Sequence, residues 1–303
     1  HAVTILDDLS TGKREQVPVG ARFIEGDIRS PEAAALVRDG NFDVVAHLAA
    51  QIDVRRSVAD PALDASINVV GSLNIIEAAC QARPRPRVVF ASTGGALYGD
   101  FVEPPNAETL PKDPDSPYGV AKLAVEYYLG YYGRIHGLQT VALRFGNVYG
   151  PRQDPHNEAG VVAIFCGRVL EGKPLTVYGD GTQTRDYIYV ADVADAFLTA
   201  AFASLAPAGP LDTRAFNVGT QVETSVIDLA RMLAEVSGRD PVIENAPKRA
   251  GELQRSVLAN GKAAEFLGWR PRRTLRDGLT ETFAWFAGRA AAAAGAAGAE
   301  GGR

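Results

Sequence analysis

Tyr118 and Lys122 stand four residues apart in Tyr118-Gly-Val-Ala-Lys122. On a helix that spacing puts both side chains on one face. An ammonium beside a phenol favours the phenolate and lowers its pKa from about 10. Such a tyrosine can exchange a proton with an alcohol near neutral pH. The same spacing also occurs on ordinary solvated helix faces, so alone it carries little. A second group lies in Ala91-Ser-Thr-Gly-Gly-Ala-Leu-Tyr-Gly99, where Ser92 and Thr93 close an apolar run just before paired glycines. In an open parallel sheet, ligands bind beyond the carboxyl ends of the strands. Either hydroxyl could hydrogen-bond a substrate oxygen there. Asp7 is the third candidate: it follows the apolar run 3–6 and precedes Leu9-Ser-Thr-Gly12. An acid at the end of the second strand of a dinucleotide-binding sheet bonds the adenosine ribose hydroxyls.

These groups need a scaffold, and the hydrophobic pattern supplies one. Short apolar runs at 3–6, 22–25, 43–48, 87–92 and 139–144 read as strands buried on both faces. Helical stretches lie between several of them. Ser30-Pro31-Glu32 carries an N-cap, a first-turn proline and a first-turn acid. The stretch 63–82 has Ile67, Val70, Leu73, Ile76 and Ala79 three or four apart and stops before Arg83-Pro-Arg-Pro-Arg87. Asp115-Ser-Pro117 opens another helix, with 121–128 helical in pattern. This alternation predicts a parallel α/β sheet with right-handed crossovers. After about residue 150 turns become denser, as in Tyr178-Gly-Asp-Gly181, and amphipathic helices are predicted at 225–237 and 274–286, with Ser225 as a cap. The expected division is a dinucleotide-binding part at 1–150 and a smaller substrate lobe at 151–288, interleaved with the first. The Ala/Gly-rich stretch 289–303 has little to bury and is expected to be disordered or a frayed helix.

Composition narrows the function classes. Hydrophobic residues make up 46% and charged residues 22%, which fits a globular chain rather than a disordered one. The net charge is −5 and there is no basic block, so a nucleic-acid partner is not expected. Cys80 and Cys166 sit in apolar surroundings and read as buried thiols, in keeping with a reducing compartment. His1, His47, His136 and His156 show no metal-ligand spacing, so no metal is expected. No apolar run is long enough for a membrane span and no signal peptide is apparent, so the expected location is cytoplasmic.

Taken in order, the motifs resemble the extended short-chain dehydrogenases/reductases, in particular the NAD-dependent nucleotide-sugar epimerase/dehydratase family, with UDP-glucose 4-epimerases nearest within it. The resemblance is carried by Leu6-Asp-Asp-Leu-Ser-Thr-Gly12, Gly26-Asp-Ile28, His47-Leu-Ala-Ala50, Asn68-Val-Val-Gly71 and the Ala91–Gly99 and Tyr118–Lys122 segments. Further along it is carried by Leu143-Arg-Phe-Gly-Asn-Val-Tyr-Gly-Pro-Arg152, the stretch 178–193 and Arg249-Ala-Gly-Glu252. It implies a Rossmann-type parallel sheet with helices on both faces, a smaller C-terminal substrate lobe and NAD as cofactor. By similarity, Tyr118 is the catalytic acid/base, Lys122 is its partner and also touches the nicotinamide ribose, and Thr93 bonds the sugar 4-oxygen. Counting back from Tyr98-Gly99 instead sets Gly94 on that position, and Ser92 is the alternative hydroxyl. Asp7, Leu9, Ser10, Thr11 and Gly12 resemble the adenosine ribose loop, and Asp27 and Ile28 the adenine contact. Leu48, Ala49, Ala50, Gln51 and Asn68 resemble the wall along the pyrophosphate and nicotinamide, with Phe145 near the nicotinamide. Asn147, Arg185 and Arg249 match diphosphate and uridine contacts, Glu252 a ribose contact, and Tyr187 is a weaker substrate candidate.

The implied reaction is 4-epimerisation of a UDP-sugar by transient oxidation at C4. Dehydratases of the family carry an Asp-Glu pair after the catalytic Thr, where Gly94 and Gly95 stand here, which disfavours dehydration. Ser256, four residues after Glu252, is a small residue at a position that gates the N-acetyl group in the epimerases. It implies room for the N-acetylated sugars. A UDP-glucuronate epimerase, a decarboxylase or a non-catalytic dinucleotide-binding scaffold are the competing readings. The resemblance also implies a homodimer through the stretches 64–82 and 118–136. Finally, the run 3–6 matches the family's second strand. The family's first strand, its glycine-rich turn and its first helix, roughly 25–35 residues, would precede His1. A chain without them is expected to bind NAD poorly.

Overall fold

The structure, a computed structural model, describes residues 1–155, 160–206, 209, 212–248 and 253–300. In chain order the strands are β1 (Thr4–Asp7), β2 (Arg22–Glu25), β3 (Val44–His47), β4 (Arg87–Thr93), β5 (Thr140–Phe145), β6 (Asn147–Tyr149), β7 (Leu175–Tyr178), β8 (Thr184–Arg185), β9 (Tyr187–Tyr189), β10 (Ala215–Val218), β11 (Thr224–Ser225), β12 (Ile243–Ala246) and β13 (Arg255–Ser256). The helices are α1 (Pro31–Asp39), α2 (Val54–Ala59), α3 (Pro61–Ala65), α4 (Ser72–Gln81), α5 (Pro117–His136), α6 (Val161–Leu170), α7 (Val190–Phe202), α8 (Val226–Ser237), α9 (Gly261–Phe266) and α10 (Leu275–Glu300). Each apolar run named above falls on one of the first five strands. The chain divides into two units. One is His1–Leu97 with Lys112–Arg144 and Phe197–Phe216; the other is Tyr98–Pro111 with Phe145–Ala196 and Asn217–Arg303.

The first unit is built on a sheet of order β10-β5-β4-β3 and a separate parallel pair, β1-β2. Strands β3 and β4 run parallel, with Val45 opposite Val88 and His47 opposite Phe90. Val88, Val89 and Phe90 are fully buried, as expected for a strand covered on both faces. Ile75, Ile76 and Ala79 of α4 and Val125 and Leu129 of α5 fill the core against them. Helix starts follow the cap chemistry. Ser30 accepts from Ala33 N and Ser116 from Gly119 N, each with proline at the first turn.

The stretch 63–82 is not one regular helix. Residues Ser66–Gly71 form a π-helical segment between α3 and α4. The wider turn shifts the face, so that Asn68 and Gly71 point inward. A side chain on Gly71 would lie 2.7 Å from Ile28 Cδ1, so the segment packs directly on Ile28 in the turn that follows β2. Apolar spacing alone cannot register an extra residue in one turn, which is why the sequence pattern reads straight through it.

The second unit has a parallel pair β12-β7, a three-stranded sheet β11-β8-β13 and a parallel pair β6-β9. Its core joins Phe165 and Cys166 of α6, Leu175 and Val177 of β7, Leu229 and Leu233 of α8, and Leu279 and Phe286 of α10. Helix α10 runs on to Glu300, through most of the stretch expected to be disordered or a frayed helix. Alanine has the highest helix propensity, so an Ala-rich stretch continuing a packed helix stays helical. No helix among the described residues is long and apolar enough to cross a membrane.

Candidate active site

The hydroxyl turn and the Tyr118 helix meet directly in the first unit. Strand β4 ends at Thr93, and the turn after it brings the Ala96 carbonyl against Gly119, next to Tyr118. A Cβ on Gly119 would sit 2.4 Å from that oxygen, so only glycine allows this approach. Ser57 of α2 holds the helix start by accepting from Tyr118 N at 3.2 Å and donating to Val54 O.

Ser92 and Thr93 have different surroundings. Ser92 is buried and donates to Glu126 Oε1 at 2.6 Å. Glu126, fully buried on α5, also takes Arg144 Nε at 2.9 Å and Nη2 at 2.5 Å. Successive residues of a strand face opposite sides, so with Ser92 turned into this triad, Thr93 faces away from it and is only half-buried. The triad ties β4, α5 and β5 together at the level of the reactive residues.

Lys122 is buried, donates to Ala91 O at 3.0 Å, and lies 4.7 Å from the Phe90 ring centroid and 5.7 Å from that of Tyr118. Burial pushes it down to about 8, while Asp64 and then Glu126 pull it back up. The expected lowering of Tyr118 is not what its surroundings produce. Burial pushes the phenol up to about 12, and the Asp64 charge adds to this.

The wall at 48–51 rests on a polar network. Gln51 N donates to Asn68 Oδ1 at 2.8 Å, and Asn68 Nδ2 donates to Gln51 O at 2.9 Å. Asn68 is 1% exposed, so it braces the wall from behind. Leu48 is exposed, while Ala49 and Ala50 are half-buried. His47 Nε2 lies 2.8 Å from Ser72 Oγ. That hydroxyl donates to Asn68 O at 2.6 Å, so the histidine must be the donor and carries its proton on Nε2. Burial pushes His47 down to about 3.

In the second unit Arg185 of β8 lies in register with Ser256 of β13 and Thr224 of β11. Ser256 is buried. Asn147 of β6 pairs with Tyr187 of β9, and Tyr187 is itself buried. Asp186 between β8 and β9 fixes this region: its carboxylate accepts from Thr220 N at 2.7 Å, Thr220 Oγ1 at 2.6 Å and Leu258 N at 3.2 Å. A cavity of about 300 Å³ opens nearby in sequence, lined by Tyr178, Asp180, Thr182, Gln183, Lys248 and Gln254. Arg249 and Glu252 lie outside the described residues.

Residues 1–219 match the model of the NAD dependent epimerase/dehydratase family. The chain belongs to that family. A UDP-glucose 4-epimerase of Mycolicibacterium smegmatis is 43% identical over 291 residues, covering 94% of this chain and 91% of the relative. The crystal structure of Thermotoga maritima UDP-glucose 4-epimerase with UDP-glucose superposes with a TM-score of 0.88 at 40% identity, covering 96% of this chain and 92% of that one. The Thermus thermophilus enzyme in complex with NAD gives 0.85 at 45% identity, covering 94% and 91%.

The cofactor of an epimerase/dehydratase of this family is NAD, and the loop at 7–12, expected to meet its adenosine ribose, has a shape that suits it. Asp7 at the end of β1 accepts from Leu9 N at 2.8 Å through Oδ1, and Gly12 folds so close that a Cβ would lie 2.8 Å from that oxygen. Leu9 takes the left-handed conformation to make this turn. The result is a carboxylate under a small-residue loop, Ser10-Thr11-Gly12, as a ribose diol requires. Asp27 is differently placed. Arg29 grips its carboxylate through Nε and Nη2, which holds it below the usual carboxylate range, and Ile28 beside it is buried. Sequence reasoning missed Ser57, Asp64, Glu126 and Arg144 as supports, and Tyr178, Lys248 and Gln254 as cavity residues. A visible signal existed for Glu126 and Arg144, since each interrupts an apolar stretch predicted to be buried.

Proposed function

We propose that the chain is an NAD-dependent 4-epimerase of UDP-sugars. The observation that carries this reading is the juxtaposition of the Thr93 turn with the Tyr118–Lys122 helix in a member of an NAD-dependent epimerase/dehydratase family. When bound, NAD accepts a hydride from C4 of the sugar and returns it. Tyr118 Oη, once ionised, takes the proton from the sugar 4-hydroxyl as the C4–H bond breaks, leaving a 4-keto sugar. After the sugar turns to present its other face, Tyr118 gives the proton back to the 4-oxygen. Thr93 bonds that oxygen throughout. Lys122 holds an ammonium charge close to the site, and Leu48, Ala49, Ala50 and Phe145 exclude water along the cofactor.

Asn147 and Arg185 are assigned to the substrate diphosphate, and Arg249 and Glu252 to the nucleoside. Arginine forks suit phosphate oxygens. The cavity beside Tyr178 offers an aromatic ring, two side-chain amides and the Lys248 ammonium, a set that fits a nucleobase. Ser256 leaves space for an N-acetyl group. Val120, Tyr127, Tyr131 and Ile135 form an exposed apolar stripe on α5, with Val70 exposed beside α4. We assign this face to a homodimer; light scattering that reports a monomer at micromolar concentration would count against it.

The test supplies NAD and UDP-galactose and reads UDP-glucose formation by chromatography of the nucleotide sugars. Turnover should appear and fall by at least a hundredfold in Tyr118→Phe while the thermal midpoint stays close to parental. Turnover that survives the loss of the phenol refutes the assignment. UDP-N-acetylgalactosamine, with UDP-N-acetylglucosamine resolved in the same chromatogram, checks the Ser256 reading, which strict rejection of that sugar would overturn.

A further inference from the structure

The first unit buries two cations, Lys122 and Arg144, and two carboxylates, Glu126 and Asp64, among its described residues. Glu126 is engaged by both Arg144 and Ser92. That leaves Asp64 as the carboxylate whose charge reaches Lys122, without a direct ion pair between them, and a buried ion needs an opposite charge.

Asp64 is 1% exposed on α3, which packs on α5. Its Oδ1 accepts from Gln51 Nε2 at 2.9 Å and from Asn68 Nδ2 at 2.8 Å. Its Oδ2 is buried and takes no hydrogen bond from any described group. A carboxylate only accepts, so both amide NH₂ groups must face it. Gln51 Oε1 is then turned to accept from Asp53 N at 2.6 Å, and Asn68 Oδ1 to accept from Gln51 N. A neutral amide at position 64 could satisfy the same neighbours in either orientation.

The charged groups around Asp64 are few. Helix α2 carries Arg55 and Arg56, both exposed, and the caps Asp53 and Asp60 lie at its ends. The π-helical segment contributes no ionisable side chain. Strand β3 brings His47, which burial keeps neutral. Helix α5 carries Tyr118, Lys122 and the already paired Glu126. Asp64 is the largest charge acting on Lys122, ahead of Glu126, although Glu126 is only one helical turn away.

We propose that Asp64 is a positioning residue for the Tyr118–Lys122 pair: its buried carboxylate fixes the Gln51 and Asn68 amides in one orientation and is the counter-charge of the Lys122 ammonium. This rests on the reading of Tyr118 and Lys122 as the proton-handling pair, but its physical core is measurable without turnover.

The experiment is Asp64→Asn in the full chain, with lysines labelled with ¹³C at Cε. The chain has six lysines, and loss of one resonance in Lys122→Arg identifies Lys122. Its titration midpoint, near 8 in the parent, should fall by about one pH unit when the negative charge is removed. An unchanged midpoint overturns the proposal whatever the enzyme does. In the epimerase assay, removing the charge lowers both Tyr118 and Lys122, so the whole kcat/KM profile should move to lower pH. A profile that drops in height without moving would mean a merely structural role and would also overturn it. If the parent shows no epimerisation, the functional reading fails and the lysine titration still decides this one. A second pair of variants guards against poor folding. Lys122→Met leaves Asp64 unpaired and should lower the urea midpoint, and adding Asp64→Asn should restore it; a further fall contradicts the pairing.

Discussion

A methyl group on Gly119 would meet the Ala96 carbonyl oxygen at 2.4 Å and Pro114 Cβ at 2.9 Å. Ordinary carbon–oxygen contacts begin near 3.3 Å, so Gly119→Ala forces the helix start and the turn apart by on the order of 1 Å. The obstacle is backbone and cannot rotate away. Two terms oppose each other in stability. Alanine improves helix propensity by at most about 1 kcal/mol, and overpacking costs roughly 1–3 kcal/mol. The net loss should therefore be modest, about 0–2 kcal/mol. Turnover should suffer far more, because the displaced groups are Tyr118 and the Thr93 turn. A misplacement of about 1 Å costs on the order of a hundredfold in rate. Urea unfolding and the UDP-galactose assay on the same preparation separate the two effects. Gly133→Ala on the same helix is the control: its Cβ would meet nothing closer than Thr140 Oγ1 at 3.4 Å, so it should keep parental turnover. Parental kcat in Gly119→Ala would refute the argument that this contact sets the spacing of the site.

Thr93→Val should lose at least a hundredfold in kcat, whereas Ser92→Ala should lose about 1 kcal/mol of stability and retain turnover; the reverse pattern would make Ser92 the substrate hydroxyl. Arg144→Met leaves Glu126 buried without its cation and should cost about 3–5 kcal/mol in urea unfolding. His47 is neutral in the fold, with a pKa near 3 against 6.5 when unfolded. The unfolded chain therefore gains a proton first as pH falls. Stability present above pH 6.5 is lost progressively toward pH 3, by roughly 3 kcal/mol at pH 4.5 from this group alone. Unfolding free energies measured from pH 7 to 4.5 should fall less steeply in His47→Gln, and equal slopes would show that His47 does not drive the loss.

The elements that could be read in advance were those governed by local rules. Ser30-Pro31 and Ser116-Pro117 announce helices because a cap hydroxyl and a fixed φ act on the next turn alone. The runs on β3, β4 and β5 stand out because strands covered on both faces are continuously apolar. Tyr118 and Lys122 were legible as a pair because helix spacing fixes their common face. Long-range electrostatics was not legible. The spacing predicts a lowered phenol, but burial and Asp64, fifty-four positions away, raise it. The π-helical turn that aims Asn68 inward was hidden for the reason given above, as was the pairing of Glu126 with Arg144 and Ser92. Each partner comes from a different element, and no period in the sequence links them.

The two units share one chain by exchanging it five times, after Leu97, Pro111, Arg144, Ala196 and Phe216. No single cut therefore releases either one. A fragment ending near residue 150 would carry the Tyr98–Pro111 excursion without its partners Val257 and Asn217, which hold Asn106. It would also lack Phe197–Phe216, whose Ala200 and Ala203 carbonyls bind Arg87. A single splice cannot replace one unit with a foreign one. Change in either has to come by substitution inside a chain whose two units are inherited together.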